Sequence, residues 1–437
     1  MARVLLASFG SLGDLHPYLA LGLGLRARGH AVTLATSESY RQTVTAAGLG
    51  FHPARPALEP DDPQLAARVM DGRRGTEYIF KSIVMPNVRD TYADLRAAAA
   101  DADVFVSGSL VYVAPTVAAT SSVRWVSSVL QPLVFFSARD PSVLPGLPAA
   151  ERLARLGPGV NRALVAAGRR VTWPWTDALR RLRRELGLEP GPHPLYEGQH
   201  APGRVLALFS PTFAAPQPDW PPQARATGFL YHDEEKHDEE KTDERTGERS
   251  GTAGLPRALE RFLAAGEPPI VFTLGSAAVH AAGDFYAESL RVAVSLGARA
   301  VLLTGRAQRQ RLPATLPGGA FACDYAPYAA LFARAAAIVH QGGVGTTGQA
   351  LRAGRPMLVV PFAHDQPDNA ARVARLGAGL ALPRGRYRAD RAAPLLARLL
   401  GDRSLAASSA ALGSRIRSED GVRVACDLLE DALEDGR

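Results

Sequence analysis

Each half of the chain opens with the same pattern, and that repetition limits the fold more than any other feature. Arg3–Ala7 (RVLLA) is a short, branched apolar run closed by Ser8-Phe9-Gly10-Ser11-Leu12-Gly13. A helical pattern follows from His16 to Arg28, with Leu19, Leu21, Leu23 and Leu25 among the buried candidates, and Ala31–Ala35 (AVTLA) reads as a second strand. In the second half Pro269–Leu274 (PIVFTL) ends at Gly275-Ser276 and a helix spans Asp284 to Leu296. Ala300–Leu303, Ala336–His340 and Met357–Pro361 are further apolar runs. Short apolar strands alternating with helices make βαβ units, whose strands lie buried in parallel sheets. The 437 residues have room for two or three such domains, at roughly 100–200 residues each.

The joint between the halves differs in kind. His232-Asp233-Glu234-Glu235-Lys236 repeats as His237-Asp238-Glu239-Glu240-Lys241, and polar residues run on to Gly254. Asp233 to Arg249 carries nine acids and four bases, a net −5 that leaves +12 on the remainder. With nothing apolar to bury, the stretch reads as a solvated linker. Only three of the 50 basic residues are lysine, and the arginines are scattered singly along amphipathic helices. A nucleic-acid binder would gather them on one stripe, so nucleic acid is not the expected partner. Cys323 and Cys426 lie far apart in apolar surroundings. They form neither a disulfide framework nor a zinc spacing, which fits a reducing cytoplasm. The N-terminal apolar run is too short for a signal peptide, and no run reaches the ~18 residues of a membrane span. A peripheral membrane contact stays open.

The densest chemical signal is His340-Gln341-Gly342-Gly343-Val344-Gly345-Thr346-Thr347-Gly348, which follows a strand and opens a helix. Glycines let backbone approach an anion, and the free N–H groups of a helix start point at it. Thr346 and Thr347 add hydroxyls, and His340 at the strand end can donate to a phosphate oxygen. Gly343, Gly345 and Gly348, with Asp365 22 residues on, also spell a dinucleotide fingerprint. Only 89 residues remain after Gly348, too few for the dinucleotide domain that such a fingerprint usually begins. Gly22, Gly24 and Ala27 form a second near-match inside a helix and bind nothing on that account.

His340 through Gln366, HQGGVGTTGQALRAGRPMLVVPFAHDQ, resembles the donor-binding signature of family 1 glycosyltransferases of GT-B fold. The similarity is to the bacterial branch with rhamnolipid rhamnosyltransferases, sterol glucosyltransferases and glycopeptide-antibiotic glycosyltransferases. Gly10-Ser11-Leu12-Gly13-Asp14-Leu15-His16-Pro17 is similar to that branch's first loop, and Pro361 to Ala370 is especially like the rhamnosyltransferases. The resemblance covers both ends of the chain; residues 55 to 225 match in architecture alone. It implies two Rossmann-like parallel-sheet α/β domains facing across a cleft. Residues 1–230 would form the acceptor-binding domain, 231–254 the acidic low-complexity linker and 255–415 the nucleotide-sugar domain. Residues 416–437 would be a C-terminal helix packing back towards the N-terminal domain.

The resemblance also assigns roles. His340, Gly343, Gly345, Thr346, Thr347 and Ser276 would meet the donor diphosphate, Asp365 and Gln366 the sugar hydroxyls, and Tyr325 the nucleotide base. The acceptor hydroxyl must lose a proton as it attacks the anomeric carbon, and Asp14 stands where bacterial relatives carry the base. Aspartate needs a raised pKa for that work, whereas His16 starts with a better one. Asp14 is the favoured base, His16 the alternative, and helix capping by Asp14 the structural reading. Plant relatives hold the ribose with a glutamate where this chain has Gly348 followed by Gln349, so uridine and deoxythymidine donors both stay open. They also orient their base through an aspartate; Val104–Val113 has none and offers Ser107, Ser109 and Tyr112.

Asp101-Ala102-Asp103 forms a DxD triplet, but in a helix-to-strand connection where acids cap or face solvent. No metal site and no cofactor is therefore expected, the helix start and His340 taking the leaving diphosphate's charge. Tyr78, Phe80, Trp125, Phe135, Phe136, Trp173 and Trp175 crowd the first half and hint at a hydrophobic acceptor, although each is more commonly core. The expected activity is an inverting, metal-independent transfer of a sugar from a UDP- or dTDP-sugar to a hydroxyl of a hydrophobic small molecule or lipid. A catalytically silent nucleotide-sugar-binding partner of a transferase, or an epimerase of the same fold, is the alternative. The intact signature argues against the silent partner. Oligomeric state is not legible.

Overall fold

The computed structural model describes residues 1–58, 62–146, 148–233 and 254–434. The chain forms two compact units, one of Met1–Pro60, Asp71–His232 and Glu419–Arg437, the other of Asp61–Met70 and Asp233–Ser418.

Among the described residues of the first unit, seven strands form one parallel sheet: β1 (Arg3–Ala7), β2 (Ala31–Thr36), β3 (Gly50–Pro53), β4 (Val104–Ser107), β5 (Arg124–Val129), β6 (Val205–Ala207) and β7 (Ala224–Ala226). Their order is β3-β2-β1-β4-β5-β6-β7, with Leu5 opposite Thr33 on one side and Phe105 on the other. The second unit has six parallel strands: β8 (Ile270–Thr273), β9 (Ala300–Leu303), β10 (Ala320–Cys323), β11 (Ala337–His340), β12 (Met357–Val359) and β13 (Gly379–Ala381). They run β10-β9-β8-β11-β12-β13. In each sheet the winding reverses once, between β1 and β4 and between β8 and β11. Ligands of doubly wound sheets bind outside the carboxyl ends of strands at such a reversal. The loops after β1, β8 and β11 are therefore the places to look.

Helix α1 (Leu12–Ala27) begins four residues before His16, where the apolar spacing starts. Ser11 is its N-cap and Asp14 closes the first turn, so the helix starts on polar chemistry rather than on hydrophobic periodicity. Pro17 is accommodated inside it. A Cβ on Gly22 would meet Leu49 Cδ1 at 2.7 Å, and one on Gly24 would meet Val422 Cγ1 at 2.5 Å. These two glycines serve close packing, on β-sheet neighbours and on the C-terminal helix. Arg28 pairs with Asp427 and Glu430 of that helix at 2.7 and 2.6 Å.

Helix α2 (Pro63–Val69) falls in the second unit although it lies inside the 1–230 stretch. Asp62 caps it through the Gln64 N–H (2.8 Å), and Pro63 occupies the first turn. Its buried residues are Ala66 and the following Met70; Met70 joins a cluster containing Phe272, Phe285, Phe362 and Ala363. Helices α3 (Phe285–Ser295), α4 (Val344–Ala353) and α5 (Gln366–Arg375) follow β8, β11 and β12. The final helix, α6 (Gly421–Glu434), belongs to the first unit and packs on α1.

Most of the acidic stretch, residues 234–253, lies outside the described residues. Its first acid, Asp233, accepts from Gln349 Nε2 (3.2 Å) and Arg352 Nη1 (2.5 Å) on α4. Asp101 and Asp103 both pair with Arg3. The aromatic residues mostly serve packing: Phe80 lies against Tyr112 and Trp175, Phe135 stacks on Trp220, and Trp125 Nε1 donates to Ser107 Oγ. No helix among the described residues is long and apolar enough to cross a membrane.

Candidate functional site

In the first unit the loop after β1 is shaped around one carboxylate. Gly10 has φ +130°, and a Cβ there would lie 2.3 Å from Asp14 Oδ2, so a side chain at this position would collide with the group. Ser11 donates to Oδ2 through both its backbone N–H (2.8 Å) and its hydroxyl (3.1 Å). Oδ1 receives no side-chain donor among the described residues. Burial pushes the Asp14 carboxyl above the usual aspartate range, against the opposing pull of the Ser11 hydrogen bonds. The Ser11 hydrogen bonds thus fall on one of the two oxygens.

His16 sits one turn along α1 with its ring centroid 5.4 Å from that of His232. Burial and the second imidazole push its pKa down to about 4. The favourable intrinsic pKa expected of His16 is lost in this setting, which makes it a poor proton acceptor at neutral pH. Ser107 and Ser109 are both engaged, by Trp125 and by the Ser128 carbonyl, and Tyr112 is buried beside Phe80.

In the second unit three loops converge. After β11, Gln341 is buried with its Nε2 directed to Thr346 Oγ1 (3.5 Å), and a Cβ on Gly275, beside Ser276, would strike that same Nε2 at 2.3 Å. Gly342, at φ +91°, turns the chain; a Cβ on it would lie 2.7 Å from Val359 Cγ1 and 3.1 Å from the Gln366 carbonyl. Asn369 Nδ2 donates to the Gly342 carbonyl (2.8 Å) and to Asp365 Oδ2 (2.6 Å), tying this loop to the one after β12. Gly343 is the N-cap of α4, and the first intrahelical bond runs from Thr347 N–H to Gly343 O (2.9 Å). The N–H groups of Val344, Gly345 and Thr346 precede it and have no intrahelical acceptor. A Cβ on Gly345 would meet nothing within 4 Å, so open space lies beside these donors.

The side chains here differ from expectation. His340 has 0% exposure; its Nδ1 accepts from Gly342 N–H (3.0 Å) and its Nε2 faces Met357 Sδ (3.3 Å). Burial drives its pKa down to about 3, so the ring is neutral and carries its proton on Nε2. It sets the turn at Gly342 instead of presenting a donor to a phosphate. Thr346 and Thr347 are buried as well, Thr347 Oγ1 with no hydrogen-bond partner among the described residues. The donors left at the start of α4 are thus backbone N–H groups. Asp365 is half-buried at the start of α5, while Gln366 Oε1 accepts from the N–H groups of Phe362 (2.8 Å) and Ala363 (3.1 Å). Tyr325, just after β10, is exposed.

Gln341 and Asn369, which join the loops, escaped the sequence reading. Asn369 had a signal, standing one helical turn after Asp365 on the same face. Gln341 had none beyond its place in the glycine run.

A family model for the EryCIII-like C-terminal domain, from an erythromycin biosynthesis protein, matches residues 288–423. The glycosyltransferase family 28 N-terminal domain matches residues 4–121. O-mycaminosyltylonolide 6-deoxyallosyltransferase of Streptomyces fradiae is 32% identical over 99% of this chain and 98% of its own. The chain belongs to this family of glycosyltransferases. Glycosyltransferase GtfC of Amycolatopsis orientalis is 31% identical over 99% of this chain and 98% of its own. Among solved structures, glycosyltransferase VinC in complex with dTDP matches with a TM-score of 0.67 at 21% identity, covering 99% of this chain and 100% of that one. The fold is GT-B, and this glycosyltransferase is a nucleotide-sugar-dependent enzyme of natural-product type.

Proposed function

We propose that this glycosyltransferase transfers its sugar with inversion, without a metal, from a UDP- or dTDP-sugar to a hydroxyl of a hydrophobic acceptor. The observation that carries the reading is the fan of N–H groups at Val344, Gly345 and Thr346, facing open space at the winding reversal of the second sheet. Oriented amides at a helix start offset the charge that develops on a departing diphosphate, at a place where no reorganisation is needed. His340 acts through Gly342 by holding the turn, Ser276 adds a hydroxyl, and Tyr325 packs on the base. Asp365 and the Gln366 amide meet the sugar hydroxyls.

In the first unit Asp14 accepts the acceptor's proton at Oδ1 as the hydroxyl oxygen attacks the anomeric carbon and the C–O bond to the diphosphate breaks. Ser11 leaves Oδ1 of this carboxylate without a side-chain donor among the described residues, whereas burial and the neighbouring His232 ring push His16 down to about 4. dTDP-sugars are the first donors to try, since the VinC structure holds dTDP.

The test is Asp14→Asn. Transfer should fall by about 10²–10⁴-fold, the usual worth of a general base, with dTDP or UDP affinity intact. Full activity in that variant would return the base to His16. Transfer abolished by a chelator would overturn the metal-free mechanism.

A further inference from the structure

His364 is a non-glycine residue in the left-handed region, at φ +57°. Such a conformation is disfavoured for a residue that carries a Cβ, and persists where the surroundings over-determine it. Here they do so from both sides. Gln366 Oε1 holds the N–H groups of Phe362 and Ala363, and Asn369 holds the Asp365 carboxylate. On the outer side the His364 ring donates to the Val69 carbonyl at the end of α2. Helix α2 is itself anchored, because Met70 is 2% exposed within the same buried cluster as Phe362 and Ala363. It also packs on the Ala278–Ala281 turn, shortly after Ser276.

A glycine would adopt this backbone conformation more cheaply. A histidine whose ring reaches a carbonyl on another segment gives the loop a second fixed point. The loop in question carries the two residues assigned to the sugar, Asp365 and Gln366. The N–H fan at α4 has its own supports in Gln341 and the Gly342 turn, and shares Asn369 with this loop.

We propose that Asp62–Met70 is a positioning element for sugar recognition, acting through His364 to fix the loop on which Asp365 and Gln366 meet the donor's hexose. The inference rests on the donor reading above. It predicts that the segment governs the sugar part of the donor and leaves the nucleotide part alone.

The experiment uses the full chain with dTDP and dTDP-glucose, and with UDP and UDP-glucose, scored by calorimetry and by donor hydrolysis. His364→Gly keeps the left-handed backbone and deletes the ring; Met70→Ala loosens the anchor; His364→Asn tolerates the conformation and retains a donor for Val69. In His364→Gly and Met70→Ala the KM for the sugar nucleotide should rise by about tenfold, one net hydrogen bond, with kcat less affected and nucleoside diphosphate affinity within about twofold of wild type. His364→Asn should recover part of the loss. Sugar-nucleotide KM unchanged in both His364→Gly and Met70→Ala would overturn the inference. Equal loss of diphosphate and sugar-nucleotide affinity would also overturn it, by revealing a merely structural role. A wild-type chain that binds no nucleoside diphosphate would instead overturn the donor reading, and this inference with it.

Discussion

Asp14 gives one oxygen to the Ser11 donors at the helix start and is buried there, and that burial has a consequence for stability. Its folded pKa lies above the unfolded value of 3.8, so the folded state favours the protonated form. Below pH 3.8 this preference is fully present as stability; it is lost as pH rises through the folded pKa, where the buried charge must form. An asparagine keeps an oxygen for the Ser11 N–H and never ionises. Asp14→Asn should therefore melt slightly higher than wild type at pH 7 and at the same temperature at pH 3, even as transfer collapses. A variant destabilised at pH 7 would mean that the charge serves the cap more than the chemistry. His16→Asn, by the same reasoning, should leave transfer within a few-fold of wild type. The carboxylate and its glycine turn were legible in the sequence because they are local. The depressed pKa of His16 was not, since His232 reaches it only through the placement of the chain after β7.

At the scale of the element, the glycine run between β11 and α4 contains positions with opposite requirements. Gly342 is there for the backbone: its φ is +91° and a side chain would strike Val359 and the Gln366 carbonyl. Gly342→Ala should cost roughly 1–3 kcal/mol of stability through strain and overlap, and lower the melting temperature. Gly345 has no such constraint, and on the proposed reading it leaves room for the diphosphate. Nothing lies within 4 Å of a Cβ at that position, and it sits in the first turn of a helix. Gly345→Ala should thus fold as well as wild type or better, by up to about 1 kcal/mol. Its dTDP or UDP affinity should nonetheless fall at least tenfold, because the methyl occupies the space beside the N–H fan. Undiminished affinity in Gly345→Ala would remove the diphosphate from this loop. Strand, turn and helix were readable from the spacing, but the side-chain directions were not. His340 and Thr347 point inward because burial of the β11 end leaves them no other volume. Helix α2 was invisible as part of the second unit, since its short apolar face of Ala66 and Met70 fits a core on either side.

For the molecule as a whole, the buried imidazoles set the acid limit before the carboxylates do. His340 is held at about 3, His16 and His200 at about 4, and His193 and His364 are also lowered, all chiefly by burial. Unfolded histidines titrate near 6.5. Between that pH and the folded values the unfolded chain binds protons that the folded chain refuses, so stability falls as pH drops below about 6.5. The ion-paired or hydrogen-bonded carboxylates of Asp71, Asp94, Asp103 and Asp219 lie below their ordinary 3.8, so their contribution is lost only at lower pH, as it falls through the folded values. Both units share the histidine effect: His16, His193 and His200 lie in the first, His340 and His364 in the second. The urea midpoint should therefore be lower at pH 5 than at pH 7.5, in any separately resolved transition of either unit. Calorimetry at pH 5.5 in buffers of different ionisation enthalpy should register proton uptake on unfolding. A flat midpoint across that range would mean that these rings are hydrated, and with it would go the neutral, inward-facing His340 on which the shape of the loop between β11 and α4 depends.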